Sequence, residues 1–254
     1  MSEQFSNIPG MRILPVNDIL SDSFKMVWRE RHDFMAMAAI PIVVLALIAT
    51  GINYSFPDKW LVLDETGAIL ESNPAIFLLG FLKIVFYVMF AVAWHRRCLM
   101  PQLRLTVASA LKWDRDKTDF LLRMIGIFVI IFLPMILLPI AGIIAGFLIF
   151  SRLALVLPAT AIHKPISYKK SWAETKGNSW RMLWLSLAPS IVFSVAIFVA
   201  TYSLASIFGV VDGRNTLTGL FIIIFVQECI DYAGVAVGVA ALSNAYRFFS
   251  KTTA

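Results

Sequence analysis

The chain has 254 residues, of which 59% are apolar, whereas a soluble domain averages about 45–50%. Only 15% are charged, and the 22 Lys and Arg residues exceed the 16 Asp and Glu residues, which leaves a net charge of +6. The apolar residues fall in blocks of about 20, the length of helix that crosses a bilayer. This pattern excludes a soluble enzyme, a disordered tail and a disulfide scaffold.

Six blocks have this length, so the sequence predicts an all-α, polytopic integral membrane protein with six transmembrane helices. A cytoplasmic segment at 1–33, which holds a short amphipathic helix, precedes a membrane domain at 34–246, and a cytoplasmic tail follows at 247–254. The predicted spans are 34–52, 75–94, 120–138, 140–162, 182–204 and 217–242. Hardly any polar residue separates the third span from the fourth, and Pro134, Pro139 and Gly142 predict a tight helical hairpin there.

The distribution of positive charge predicts how the chain is oriented. Of the 22 Lys and Arg residues, 17 lie in 1–33, 95–119, 163–181 and 243–254, whereas the alternate loops hold only Lys59 and Arg214. Because loops rich in Lys and Arg stay in the cytoplasm, both termini are predicted to be cytoplasmic. This explains the positive charge better than binding of nucleic acid does, and no nucleic-acid partner is expected.

Each segment before an odd-numbered span is predicted to form a short amphipathic helix on the membrane surface. In the third of them, Ser167 is expected to cap the helix and Gly177 to end it. The three segments are either parts of a helix–span–span repeat or ordinary flanks whose aromatic and basic residues anchor the spans. The residues expected at the lipid headgroups are Trp28, Arg96, Arg97, Trp172, Trp180 and Arg181.

The segment 166–187 reads ISYKKSWAETKGNSWRMLWLSL. Its pattern S-W-x-x-T-x-G-N-x-W-R resembles one in a family of uncharacterised six-span membrane proteins of bacteria, related to the membrane domain of some glycerophosphodiester phosphodiesterases. The segment 94–124, with WHRRCLMP and LTVASALKW, is similar to the second cytoplasmic loop of that family. The resemblance implies a six-helix fold in the bacterial inner (cytoplasmic) membrane. It implies no activity, because the phosphodiesterase chemistry belongs to a separate soluble domain.

Several ionisable residues lie inside the predicted spans. Each costs at least about 2.5–3.5 kcal/mol at a helix centre and therefore needs a partner or water. At a rise of about 1.5 Å per residue, Lys83 and Glu228 lie at similar depths, and so do Arg152 and Asp231. The sequence therefore predicts two ion pairs, with Gln227 completing the polar cluster, where spans two, four and six meet.

Small residues in two of these spans predict close helix packing. They are Gly142 and Gly146 in the fourth span and Gly234 and Gly238 in the sixth. The charges that the packed helices enclose have two interpretations. They form a static lock that fixes the register of the helices, or one of the two acids titrates and couples the movement of a proton or ion to that of a substrate.

Motifs that carry catalysis are not found in the sequence. It contains no zinc-binding H-E-x-x-H, no G-x-S-x-G nucleophile elbow and no phosphate-binding glycine-rich loop. Cys98 and Cys229 are isolated and expected to be inert, and His32, His95 and His163 are expected at the surface. No metal and no cofactor is therefore expected.

The sequence thus predicts a non-catalytic integral inner-membrane protein, a scaffold or a modulator of lipids or partner proteins. Its partner would be the lipid bilayer, including anionic headgroups, with a protein partner or a homo-oligomer left open. The alternative is a small ion- or proton-coupled transporter or channel that uses Glu228 and Asp231. A polar cavity that reaches either acid favours the transporter, whereas a closed, dry bundle favours the scaffold. A lipid-modifying enzyme would need converging polar groups open to the lipid.

Overall fold

The computed structural model describes residues 13–56, 61–63, 69–72, 74–103, 106–210 and 216–250. Its helices are α1 (Val16–Arg29), α2 (Arg31–Ser55), α3 (Pro74–Leu99), α4 (Val107–Leu111), α5 (Arg115–Leu137), α6 (Pro139–Leu153), α7 (Val156–Ala161), α8 (Tyr168–Glu174), α9 (Ser179–Ile207) and α10 (Leu217–Ser250). Between α2 and α3, the strands β1 (Leu61–Leu63) and β2 (Ile69–Ser72) pair as a short antiparallel hairpin that was not predicted.

Six helical segments are long and apolar enough to cross a membrane. They are α2, α3, α5, the stretch Ile140–Ala161 that contains most of α6 and all of α7, α9 and α10. A helix needs about 20 residues to cross the hydrocarbon core, and every one of these segments exceeds that length. Each predicted span overlaps one of them. The predicted fold class is therefore confirmed, and the chain is an all-α, multi-pass integral membrane protein.

The third and fourth spans form the predicted helical hairpin. A single residue separates α5 from Pro139, which begins α6, a position where proline is tolerated because the N–H that it lacks would have no helical partner. The helices approach closely because Gly142 has no side chain: a Cβ atom there would lie 2.1 Å from the carbonyl oxygen of Pro134. At Gly146, a Cβ atom would lie 2.9 Å from Cγ2 of Ile131. Small residues on α6 therefore hold the hairpin closed.

The longest helix, α10, is the centre of the bundle, because it packs against α2, α3 and α9 and also against α1. Aromatic side chains fill the core where α10 meets α3, and Phe90, Trp94 and Tyr232 are buried there. The indole N–H of Trp94 donates a 2.9 Å hydrogen bond to the backbone carbonyl of Ala236. The indole thus ties α3 to α10 by packing and by a hydrogen bond.

One end of the bundle carries α1, α4, α8 and the C-terminal ends of α3 and α10; we call it the basic end. The three short helices α1, α4 and α8 precede the spans α2, α5 and α9, so a short helix lies before each odd-numbered span, as predicted. In α8, the hydroxyl of Ser167 accepts a 3.1 Å hydrogen bond from the backbone N–H of Lys170. Gly177 follows α8 with a φ of 80°, a conformation that glycine adopts without strain. The N-cap prediction is confirmed, whereas α8 ends at Glu174, three residues before Gly177, with Thr175 as its C-cap. The repeat itself stays a prediction.

Two predictions about the interior are wrong. The fourth span does not join the second and sixth at their charges: α6 packs mainly against α5 and α9, and only α7, beyond a turn at Ala154 and Leu155, packs against α3 and α10. The fourth span therefore contacts α10 mainly through α7. The second wrong prediction concerns His95, which is not at the surface but buried. Its Nδ1 forms a 2.8 Å hydrogen bond with the hydroxyl of Ser243 on α10.

Candidate intramembrane site

The structure contains the predicted ion pair between the second and sixth spans. Nζ of Lys83, on α3, lies 2.7 Å from Oε1 of Glu228, on α10. At about 1.5 Å per residue, the two residues stand about 14 Å and about 16 Å from the starts of their helices. The Glu228 side chain is 4% exposed, and that of Lys83 is 33% exposed. The pair therefore joins α3 to α10 deep within the apolar segments.

Asp231 belongs to the same cluster, because it follows Glu228 by three residues and shares its helix face. Its Oδ2 accepts a 2.6 Å hydrogen bond from the hydroxyl of Tyr87 and lies 3.7 Å from Nζ of Lys83. The Asp231 side chain is 42% exposed. One lysine thus faces two acids, and Asp231 is the more accessible of them. Tyr87 was missed in the sequence, although its position one turn after Lys83 on α3 was a usable signal.

The predicted pair between Arg152 and Asp231 is wrong. Nη2 of Arg152 donates a hydrogen bond to the backbone carbonyl of Trp172, and Cζ of Arg152 lies 3.9 Å from the centre of the Trp172 ring. Residue counts gave Arg152 and Asp231 similar depths, but Arg152 is the next-to-last residue of α6 and its side chain lies against α8. The guanidinium is therefore at the basic end, where it contacts Trp172 of α8.

Gln227 does not complete the cluster, contrary to prediction. Its Nε2 donates a 2.8 Å hydrogen bond to Oγ1 of Thr201 on α9. Successive residues of an α-helix point about 100° apart, so Gln227 faces α9 while Glu228, the next residue, faces α3. The bond joins α9 to α10 on the side of the site away from the basic end.

The two glycines of α10 behave differently. A Cβ atom on Gly234 would lie 3.0 Å from the Phe193 ring of α9. That ring also stacks on Phe24 of α1, with the centroids 6.0 Å apart. Gly234 thus permits a close approach, as predicted. At Gly238, no atom of the described residues lies within 4 Å of a Cβ atom, so the predicted close packing is absent there.

A cavity of about 440 Å³ lies between α9 and α10, with α6 contributing Phe150 to its wall. It extends from Asp231 and Ile197, near the middle of the two helices, to Ser186 and Leu242 nearer the basic end. Of the described residues that line it, Asp231 alone is ionisable. The accessible acid of the cluster is therefore also the charged group of the cavity.

Three hydroxyl groups follow one another along the α9 wall of this cavity, at Ser186, Ser190 and Ser194. Ser186 and Ser190 each donate a 3.1 Å hydrogen bond to the carbonyl four residues earlier. Their oxygens keep lone pairs with which to accept a hydrogen bond from a solute or from water. The four-residue spacing of these serines in an apolar helix is the sequence signal for this polar face.

The two arginines predicted at the headgroups, Arg96 and Arg97, are instead paired within the chain. Arg96 lies 2.6 Å from Asp116, and Arg97 lies 2.5 Å from both Glu30 and Asp33. Their side chains are mostly buried. The prediction was wrong because positive charge in a loop does not reveal that acids of neighbouring segments fold against it.

A further charged corner joins α4 to α5. The carboxylate of Asp114 caps α5 by accepting a 3.0 Å hydrogen bond from the backbone N–H of Lys117, and Nζ of the buried Lys117 lies 3.2 Å from it. Burial by itself raises the pKa of Asp114, but the hydrogen bonds from Lys117 and the charges of Lys117 and Arg96 outweigh it and hold the pKa below its usual range. An ionised carboxylate thus stabilises this corner.

The segment with the S-W-x-x-T-x-G-N-x-W-R pattern fixes the corner between α8 and α9. The hydroxyls of Ser171 and Thr175 donate to the backbone carbonyl of Arg152, at 2.7 and 3.3 Å. The side-chain oxygen of Asn178 accepts a 2.9 Å hydrogen bond from the backbone N–H of Leu14. These polar residues of the pattern therefore attach the corner to α6 and to the chain before α1.

The remaining residues predicted at the headgroups lie at the basic end. Trp28, Trp180 and Arg181 are exposed there, and Trp172 lies beneath the guanidinium of Arg152. Their contact with lipid stays a prediction.

Within the described ranges, no group of three or more His, Cys, Asp or Glu side chains is placed to hold a metal ion, and both cysteines are free thiols. No family model matches the chain, and no curated protein or solved structure matches it either. The predicted relation to the membrane domain of glycerophosphodiester phosphodiesterases therefore stays a prediction. On its own features, the chain is a six-helix integral membrane protein with a charged site among its helices.

Proposed function

We propose that the chain is a non-catalytic, small proton- or cation-coupled transporter in which Asp231 is the carboxylate that binds and releases the ion. The observation that carries this proposal is the cavity, because it reaches Asp231 at mid-depth of the helices. Intramembrane acids that face a cavity mark ion pathways and proton relays in membrane proteins. A polar cavity at either acid was the feature expected of a transporter, and the polar side chains of this cavity are Asp231 and three serines of α9.

The charges of the cluster support a site for a cation. With all groups ionised, Lys83 balances one of the two acids, and Glu228, at 2.7 Å, is the closer. Among the described residues, the charge of Asp231 is then offset by the hydrogen bond from Tyr87 and by Lys83 at 3.7 Å. An unbalanced carboxylate within the hydrocarbon region is costly, so binding of a proton or another cation at Asp231 lowers that cost.

The hydrogen bond between Gln227 and Thr201 supports access from one side only. It joins α9 to α10 about 6 Å from Asp231 along α10, at 1.5 Å per residue, on the side opposite the basic end. The cavity lies on the other side of Asp231 and extends toward the basic end. Access from the basic end alone is one of the two states that alternating access requires.

We propose further that the basic end faces the cytoplasm of a bacterial cell, with the protein in the inner membrane and both termini cytoplasmic. The excess of Lys and Arg in the segments of this end supports this orientation. In this orientation, α1, α4 and α8 act as amphipathic helices at the inner surface of the membrane, and the cavity takes its ion from the cytoplasm.

The second candidate is the scaffold or modulator of lipids or partner proteins that the sequence favoured. The observation that supports it is the Lys83–Glu228 pair, which holds α3 against α10 at 2.7 Å. In this account, the charges fix helix register and Asp231 carries no ion.

A flux assay separates the two functions. The purified chain is reconstituted into vesicles with a trapped pH-sensitive dye, and proton movement is driven by a potassium diffusion potential; sodium and choline gradients follow. We expect flux above that of protein-free vesicles, and we expect Asp231→Asn to reduce it to the protein-free level. Asp22→Asn is the matched control, because Asp22 is an exposed residue of α1; this variant should retain wild-type flux. Equal flux with Asp231→Asn, or no flux of any of the three ions with the wild type, would refute the transporter and leave the scaffold.

A further inference from the structure

A second groove lies at the basic end, between α1 and the start of α9. It encloses about 520 Å³, and its wall consists of Val16, Asn17, Leu20, Trp180, Arg181, Trp184 and Ala188. None of these residues lines the cavity at Asp231, so the groove is a separate feature of the molecule.

The groove is held in place by the packing of α1. The backbone N–H of Leu14 donates to the side chain of Asn178, just before α9. Behind the groove, Leu14 and Ile19 pack in one buried cluster with Met182 and Leu185 of α9. The wall is therefore preformed by two fixed helices.

Arg181 supplies the positive charge of the groove, and its guanidinium is available for a ligand. It is exposed, and it forms no ion pair or hydrogen bond with any residue in the described ranges. Other arginines of the basic end donate hydrogen bonds within the chain: Arg96, Arg97, Arg123, Arg152 and Arg247. A free guanidinium presents a planar fork of donors that fits a phosphate group.

The tryptophans of the groove place it at the level of the lipid headgroups. Trp180 is 63% exposed and Trp184 is 57% exposed, and both lie in the first two turns of a membrane-spanning helix. Indole rings prefer this boundary because one part of the ring is apolar and the N–H is polar. Below Arg181, the wall continues toward the membrane interior as Trp184 and Ala188, an apolar surface for an acyl chain.

We propose that this groove binds an anionic phospholipid, with its phosphate at Arg181 and one acyl chain along Trp184 and Ala188. Charge complementarity favours this lipid: Arg181, the ionisable residue in the described lining of the groove, is a cation, and the segments of the basic end are rich in Lys and Arg. The amide of Asn17, across the groove on α1, is placed to hydrogen-bond the polar part of the headgroup. This inference is independent of the transporter proposal, since no residue of the intramembrane site takes part.

The test titrates the full chain, purified in detergent, with fluorescently labelled phosphatidylglycerol and measures the dissociation constant by anisotropy. We expect Arg181→Gln to raise the dissociation constant at least about tenfold, because the loss of one charge-assisted hydrogen bond weakens binding by about that factor. Arg115→Gln is the matched control, because Arg115 is an exposed arginine of the same end whose side chain forms no ion pair or hydrogen bond with the described residues. The affinity of this variant for the lipid should stay near that of the wild type. Trp184→Ala should weaken binding while leaving the charge unchanged.

Each other outcome contradicts the proposal. Equal losses with Arg181→Gln and Arg115→Gln would mean general attraction to a basic surface. Equal affinity for phosphatidylethanolamine would contradict the preference for an anionic headgroup. Displacement of the labelled lipid by inorganic phosphate at the same concentration would mean a site for free anions.

Discussion

Replacing Lys83 by methionine is expected to lower the free energy of unfolding by about 3–5 kcal/mol, the usual cost of removing one partner of a buried ion pair. The reason is the burial of Glu228, whose carboxylate lies 2.7 Å from Nζ of Lys83 and is 4% exposed. Without the lysine, an unpaired carboxylate is left among apolar helices. Thermal or denaturant unfolding of the purified chain in detergent measures the loss.

The double variant Lys83→Met with Glu228→Gln is the control, because it removes both charges together. It should recover most of the stability, as replacing a whole buried pair by neutral residues usually does. Glu228→Gln alone should cost less than Lys83→Met, since Lys83 is 33% exposed and also lies 3.7 Å from Asp231. A Lys83→Met protein as stable as the wild type would mean that the pair does not hold α3 against α10.

Replacing Gly142 by alanine is expected to open the hairpin of α5 and α6. The added Cβ atom would lie 2.1 Å from the carbonyl oxygen of Pro134 and 2.6 Å from Cα of Met135. Both are backbone atoms, so a rotamer change cannot relieve the clash and the helices must separate. Overpacking of this kind costs about 1–3 kcal/mol, and more where backbone must shift. Unfolding in detergent measures the stability, and cross-linking between cysteines placed on α5 and α6 measures their separation.

Two other glycines provide matched controls for this substitution. At Gly51 in α2 and Gly80 in α3, no atom of the described residues lies within 4 Å of a Cβ atom. Alanine there should be neutral or stabilise the chain by up to about 1 kcal/mol, because alanine favours a helix more than glycine does. If Gly142→Ala behaves like these two variants, α5 and α6 do not depend on the close approach.

The number of spans was predictable from the sequence because it depends on length and hydrophobicity alone. The Lys83–Glu228 pair was predictable for a similar reason: each residue lies in one uninterrupted helix, so a count of residues gives its depth. The same count did not give the partner of Arg152, because Trp172 of α8 packs against the guanidinium at the end of α6. Depth along a span does not reveal a contact with a neighbouring short helix.

Contacts that depend on tertiary packing were not predictable in this way. The acids that neutralise Arg97 come from Glu30 and Asp33, which lie far from it in the chain, so loop charge alone suggested free arginines. The cavity at Asp231 depends on how α9 and α10 are spaced, and this spacing follows from single side chains such as Phe193. Serines four residues apart on α9 indicated a polar face, but not a cavity in front of it.

For Asp231 to bind an ion from the basic end, water must enter the bundle along α9 as far as this residue. Single cysteines in a chain whose Cys98 and Cys229 are replaced by alanine report on this water path. Ser190 lines the cavity. Val192, two residues later on α9, lies at nearly the same depth but is exposed outside the cavity, so the two variants to compare are Ser190→Cys and Val192→Cys. A membrane-impermeant, positively charged thiol reagent is applied to both, because modification requires a thiolate and hence water. We predict rapid modification of Ser190→Cys and none of Val192→Cys; equal inertness of the two cysteines would contradict a water-filled path to Asp231.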